Sequence, residues 1–224
     1  MDTAVPSKDH LYKILDFHRV VQIFEKRELY FAHPTMWDDP YEHHDYKTSG
    51  SVFAQCWCRL GVSDAMWRIY SPNGLGVRVS TTQRKLAEVL ETFKAAREDC
   101  SVRYGPVAYR TQTKIKEALS NLQKFDEKTD RFALDPLFLK RNAFSHETEW
   151  RAAIYCSDGP KEKEDGLRVP VDPRDLFDNI LLDPRAPGEL VAAFEFYFKE
   201  KLGFPKHVGR SKLYEQPRRP LKES

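Results

Sequence analysis

Residues 140–155 read KRNAFSHETEWRAAIY, and the fold turns on how this stretch is read. Read as a β-strand, it sends alternate side chains to opposite faces. Trp150, Ala152 and Ile154 then enter a core, and Glu147, Glu149 and Arg151 share the other face. Same-face neighbours on a strand lie about 6.5–7 Å apart, close enough for two carboxylates to act on one small group. The plainer reading is a solvated face on which Glu149 and Arg151 form a surface pair worth under about 1 kcal/mol.

Working outward, short strands alternate with amphipathic helices. Strands are expected at 11–15, 29–33, 52–59, 77–79, 101–104, 107–109, 167–171 and 179–182. The first helix is expected after Asp16 as its cap, with Phe17, Val20, Val21 and Phe24 recurring at helical spacing. Further helices are expected after Ser63, over 83–97, over 112–128 with Phe125 on its buried side, and over 188–202, where Gly203 and Pro205 stop the last. Asn73-Gly74-Leu75-Gly76 enters a strand instead of leaving one for a helix, so it reads as a tight turn and not as a dinucleotide fingerprint. The expected class is α+β, with mixed, mostly antiparallel sheets and helices packed around them. One domain is expected over 1–224, with a loose leader at 1–10, a charged loop at 161–165 and a basic, Pro-containing tail at 209–224.

Composition narrows the function classes. The chain has 224 residues, 41% hydrophobic and 12% aromatic, enough for a substantial core. A net charge of +2 gives the whole chain no footprint for nucleic acid, although Arg97, Arg103 and Arg110, and the tail's Arg210, Lys212, Arg218 and Arg219, are local basic groups. No apolar run approaches the roughly 20 residues of a membrane span, and the first ten residues lack a signal peptide's apolar centre. The expectation is a cytoplasmic protein. Cys56, Cys58, Cys100 and Cys156 are too scattered for a disulfide framework, and read as small buried hydrophobes in a reducing compartment.

Several blocks together carry a resemblance: LYKIL at 11–15, LYFAHPTMWDDPYE at 29–42, FAQCWC at 53–58, AMWRIYSPNGLGVRVS at 65–80, VRYGPVAYR at 102–110, the FLK and ETEWR steps, and NILLDPRAP at 179–187. In this order they resemble the bacterial domain-of-unknown-function family 2971. Asp38, where asparagine is expected, and the Asn73-Gly74-Leu75 turn depart from that pattern. The layout, with a polar anchor on the first strand and Glu-x-Glu on a late one, is also similar to that of the ADP-ribosyltransferase superfamily. That likeness implies an ADP-ribosyltransferase-like fold and an enzyme cleaving the nicotinamide–ribose bond of NAD to modify a protein or nucleic-acid acceptor, as a toxin or antiviral defence effector. Glu149 would stabilise developing positive charge and Glu147 would orient or deprotonate the acceptor. Tyr12 and Lys13 would hold the dinucleotide, His33 and Tyr41 would flank the nicotinamide, and Arg151 completes the cofactor-binding set.

Two other readings stay open. Asp38, Asp39, Glu42, His43, His44 and Asp45 form a dense ligand set, and Asp39, Glu42 and His44 would hold a metal in a nuclease or hydrolase. Turn-stabilising aspartates explain Asp38 and Asp39 more simply. Alternatively, the aromatic and basic residues of 33–46 and 57–70 form the pocket of a non-catalytic nucleotide sensor or adaptor.

Overall fold

In the computed structural model, which describes residues 9–42, 51–122, 130–158 and 166–216, the stretch 140–155 is divided. Leu139–Arg141 is a short strand, Asn142–Glu147 a 3₁₀ turn, and Glu149–Cys156 a long strand. Thr148 forms the joint at φ 44°, in the left-handed region that β-branched residues seldom adopt. Glu147 therefore sits on the turn and not on the strand. The expected alternation holds only from Glu149 onward.

The strands of the described residues are β1 His10–Leu15, β2 Glu28–Phe31, β3 Ser51–Cys58, β4 Val77–Thr82, β5 Cys100–Pro106, β6 Ala108–Arg110, β7 Leu139–Arg141, β8 Glu149–Cys156, β9 Leu167–Pro170, β10 Asn179–Leu182 and β11 His207–Arg210. Seven make one sheet in the order β11-β10-β4-β1-β3-β8-β5. Within it only β10 and β11 run parallel. β2 pairs antiparallel with β9, and β6 pairs parallel with β7. The helices are α1 Phe17–Lys26, α2 Asp64–Tyr70, α3 Gln83–Ala95, α4 Gln112–Leu122, α5 Asp130–Leu134, α6 Pro173–Leu176 and α7 Gly188–Phe196. The fold is mixed α+β, with mostly antiparallel sheets and helices packed around them.

Alternation on β8 explains how both of its faces come to be buried. Trp150, Ala152 and Ile154 join the main core with Phe53 and Trp57 of β3, Val20 and Phe24 of α1, Leu86 and Leu90 of α3, and Phe194 of α7. Ala153 and Tyr155 face the other way, onto Ala133 and Leu134 of α5 and onto Leu137 and Phe138. All eight residues of β8 are buried. At about 1.5–3 kcal/mol per large apolar side chain, this double burial gives the strand its hold on both layers.

Several expectations change. His207–Arg210, which includes the first two residues of the expected 209–224 tail, is an edge strand beside β10 with Val208 in the core; a four-residue strand is too short for its period to show. The last helix gives way to a π-helical turn over Tyr197–Lys201, which Gly203 ends at φ 63°. Asp16 holds the cap position of α1 without a side-chain cap bond, whereas Ser63 and Thr82 do cap their helices. Residues 1–8, 161–165 and 217–224, and Phe125, fall outside the described residues.

The cysteine expectation is half corrected. Cys100 and Cys156 face each other in register across β5 and β8 and form a disulfide, while Cys56 and Cys58 are free thiols. Their separation of 56 residues hid the pairing, which only strand register creates. The bridge ties the edge strand β5 to β8. Reduction is expected to destabilise the protein by about 2–4 kcal/mol, read as a lower urea midpoint in dithiothreitol. An unchanged midpoint would contradict a stabilising bridge.

Candidate functional site

The 3₁₀ turn and the start of β8 deliver Glu147 and Glu149 to one place, and β7 delivers Lys140 opposite them. Lys140 Nζ lies 2.5 Å from Glu147 Oε2, 3.5 Å from Glu149 Oε2 and 3.6 Å from Glu42 Oε2. Arg151 Nη2 lies 2.6 Å from Glu149 Oε2 and 2.5 Å from Glu42 Oε1, and its Nη1 donates to the Leu137 carbonyl at 2.6 Å. The Trp37 ring covers the guanidinium at 4.5 Å. Glu42, Lys140, Glu147 and Glu149 are each 6% exposed and Arg151 1%. This is a buried network of three carboxylates and two cations, not the surface pair of the plainer reading.

The network borders a cavity. Glu147 and Glu149 line it together with Tyr12, Lys13, Cys56, and Tyr70, in a volume of about 70 Å³. Tyr70 donates its hydroxyl to Glu147 Oε1 at 3.3 Å, and the Glu149 N–H donates to the Tyr109 hydroxyl at 2.7 Å. Both hydrogen bonds from Arg151 to Glu149 end on Oε2. Lys13 donates to the Cys56 carbonyl at 2.8 Å. This bond spans a gap in the sheet, because β1 and β3 pair only at Tyr12–Cys58.

Burial and charge set the protonation states. Burial raises the Glu42 carboxyl, against the pull of Arg151 and Lys140. Burial acts downward on Lys140 and Arg151, but Glu149 and Glu42, together with Cys56 beside Arg151, leave both held above their ordinary values. Burial pulls Lys13 down. Burial, reinforced by Glu149, pushes the Cys56 thiol up to about 12, so Cys56 stays protonated and is no nucleophile at neutral pH. Burial and the neighbouring Glu147 likewise keep Tyr70 protonated.

Of the residues expected from sequence, Tyr12, Lys13, Glu147 and Glu149 meet at this cavity. Arg151 stands behind Glu149 as its anchor. His33 and Tyr41 do not join them. His33 Nδ1 accepts from the Thr35 N–H and its ring meets Phe53 edge-on, while Tyr41 lies under the Arg141 guanidinium at 4.1 Å and is bonded to Gln112. The expected metal set is also separated: Asp39 pairs with Arg141 at 2.9 Å, Glu42 belongs to the network, and His44 lies outside the described residues. Sequence reasoning missed Lys140 and the roles of Tyr70, which it placed only in the pocket of the sensor reading, and of Glu42, which it placed only in the metal set. Their signals were the Met-Trp-x-x-Tyr step for Tyr70, the Asp-Pro-Tyr-Glu step for Glu42 and the Phe-Leu-Lys step for Lys140.

Residues 66–152 match the family model described as protein of unknown function (DUF2971). The match takes in Tyr70, Lys140, Glu147, Glu149 and Arg151 but not Tyr12, Lys13 or Glu42. No curated protein and no solved structure matches the chain. The family description corrects the labels ADP-ribosyltransferase, NAD, transferase, toxin and antiviral defence: it carries none of them, and they are withdrawn. Among the described residues no helix is long and apolar enough to cross a membrane.

Removing Arg151 leaves two buried carboxylates without their strongest partner. Arg151→Met is expected to cost about 3–5 kcal/mol at neutral pH, measured by urea unfolding. Glu42 supplies a pH test. Its carboxyl is raised in the folded state, so its contribution is fully present below the unfolded value of 4.5 and is lost as pH rises through the raised value. The stability difference between wild type and Glu42→Gln should therefore move against wild type as pH rises above 4.5. A difference constant with pH would refute the raised carboxyl.

Proposed function

We propose that the cavity at Glu147 and Glu149 is the working centre of an enzyme that hydrolyses the bond between sugar C1 and base in a nucleotide-type substrate. One observation carries this reading: two carboxylates, two tyrosines and a lysine converge on one cavity, and the carboxylates are fixed from behind by Lys140 and Arg151. Buried ion pairs are weak stabilisers compared with apolar packing, so five buried charges beside a cavity fit a site better than a scaffold.

In this reading Glu149 faces the sugar and stabilises the positive charge that grows at C1 as the base leaves. Arg151 holds Oε2 and so fixes where that negative charge lies. Glu147, bonded to Tyr70 and Lys140, receives a proton from water. The water oxygen bonds to C1, the C1–base bond breaks, and the proton passes to the departing base. Cys56 and Tyr70, both protonated, serve as walls and donors and not as nucleophiles.

The test is chromatographic detection of free base after incubating the full chain with a panel of nucleosides and nucleotides. Wild type should release base from at least one member, and Glu149→Gln should reduce the rate by at least about a hundredfold, the scale of losing one preorganised electrostatic group. No release by wild type, or equal release by both proteins, would sink the proposal. Ligand binding without release would identify a non-catalytic nucleotide sensor instead.

A further inference from the structure

Across the gap in the sheet the chemistry changes sign. Beyond the Tyr12–Cys58 pair, β1 and β3 part, and with α1 and β2 they enclose a second cavity of about 620 Å³. That volume lies in the range of small-molecule pockets, about 300–1,000 Å³. Lys13, Arg19, Lys26 and Arg168 line it, against the single carboxylate Glu28. Arg168 pairs with Glu28 at 3.1 Å. Among the described residues no carboxylate lies within ion-pair distance of Lys13, Arg19 or Lys26; Arg19 makes one long bond to Gln22, at 3.5 Å.

The cations come from separate elements. Arg19 and Lys26 stand two turns apart on α1, on one helix face, while Lys13 enters from β1 and Arg168 from β9. Like charges gathered round a concavity repel each other, and an anion relieves that repulsion. The half-exposed Tyr30 lies beside them. Gln55 fixes the backbone there by donating to the Tyr30 carbonyl at 3.0 Å while accepting from the Trp57 indole.

We propose that this cavity is a phosphate site, taking the pyrophosphate or terminal phosphates of a small nucleotide between Arg19, Lys26 and Lys13. The location of these phosphates relative to the carboxylate centre rests on the function proposed above. Lys13 and Cys56 line both cavities, and the bond between them forms the partition. A nucleotide whose phosphates occupy the basic side therefore has its sugar within reach of the carboxylate side. Guanidinium groups suit phosphate because they offer paired donors in one plane.

Calorimetric titration of the full chain with inorganic pyrophosphate and with ADP tests this, using adenosine as the uncharged control. Both phosphates should bind wild type, more weakly as salt is raised. The double variant Arg19→Ala, Lys26→Ala should weaken both at least about tenfold. Both side chains are exposed, so folding should survive, as circular dichroism will check. Failure of pyrophosphate and ADP to bind wild type, or equal binding by the double variant, overturns the phosphate site. Phosphate binding that persists without base release overturns only the enzyme reading, and base release from nucleosides without phosphate binding overturns only this one.

Discussion

The Arg151 guanidinium is the constraint on which the site depends. It is 1% exposed, yet it bonds Glu149, touches Glu42, donates to the Leu137 carbonyl and lies against Trp37. These partners come from β8, from residues 37–42, and from the segment between α5 and β7. An ion this deep is tolerable only when each of its sides has a partner. Those partners tie three chain segments together at Arg151, and Glu149 is held through it.

The ladder between β1 and β3 is broken beside the cavity that Glu149 lines. A sheet normally satisfies its backbone groups with the neighbouring strand. Here pairing stops after Tyr12–Cys58, and the Lys13 side chain takes the Cys56 carbonyl in place of a backbone N–H. A side chain substituting for a ladder bond stands between two cavities. One cavity is lined by two carboxylates and aromatics, the other by four cations against one carboxylate, and Lys13 is common to both.

Much of the fold was legible because its signals are local. Period-two alternation placed Trp150, Ala152 and Ile154 in the core, and helical spacing placed Val20 and Phe24. The Thr148 kink was not legible, since no residue rule favours a left-handed threonine there. Strand β11 was missed because its four residues borrow their stability from β10. The disulfide was missed because strand register, not spacing, brings Cys100 opposite Cys156. The site divided along the same line. Glu147 and Glu149 stood out as two acids one residue apart, and Tyr12 and Lys13 as a polar step in an apolar strand. His33 and Tyr41 were misplaced because aromatic and imidazole groups pack locally as readily as they bind. Lys140 was hidden because a lysine is read as solvated until a fold buries it.

The extent of the family match bears on how such a network holds together. Residues 66–152 contain Lys140, Glu147, Glu149 and Arg151, while Glu42 and the Tyr12-Lys13 step lie before them. Without Glu42 the two cations would face two carboxylates, a balanced set; with it, the cluster carries one extra negative charge. Burial then raises the Glu42 carboxyl. The early segment therefore adds the group on which the cluster's charge turns. Arg151 is thus shared between Glu42 and Glu149, and Lys140 reaches both of them and Glu147. The segment before the match thus supplies a third carboxylate to the two cations that the matched segment contributes.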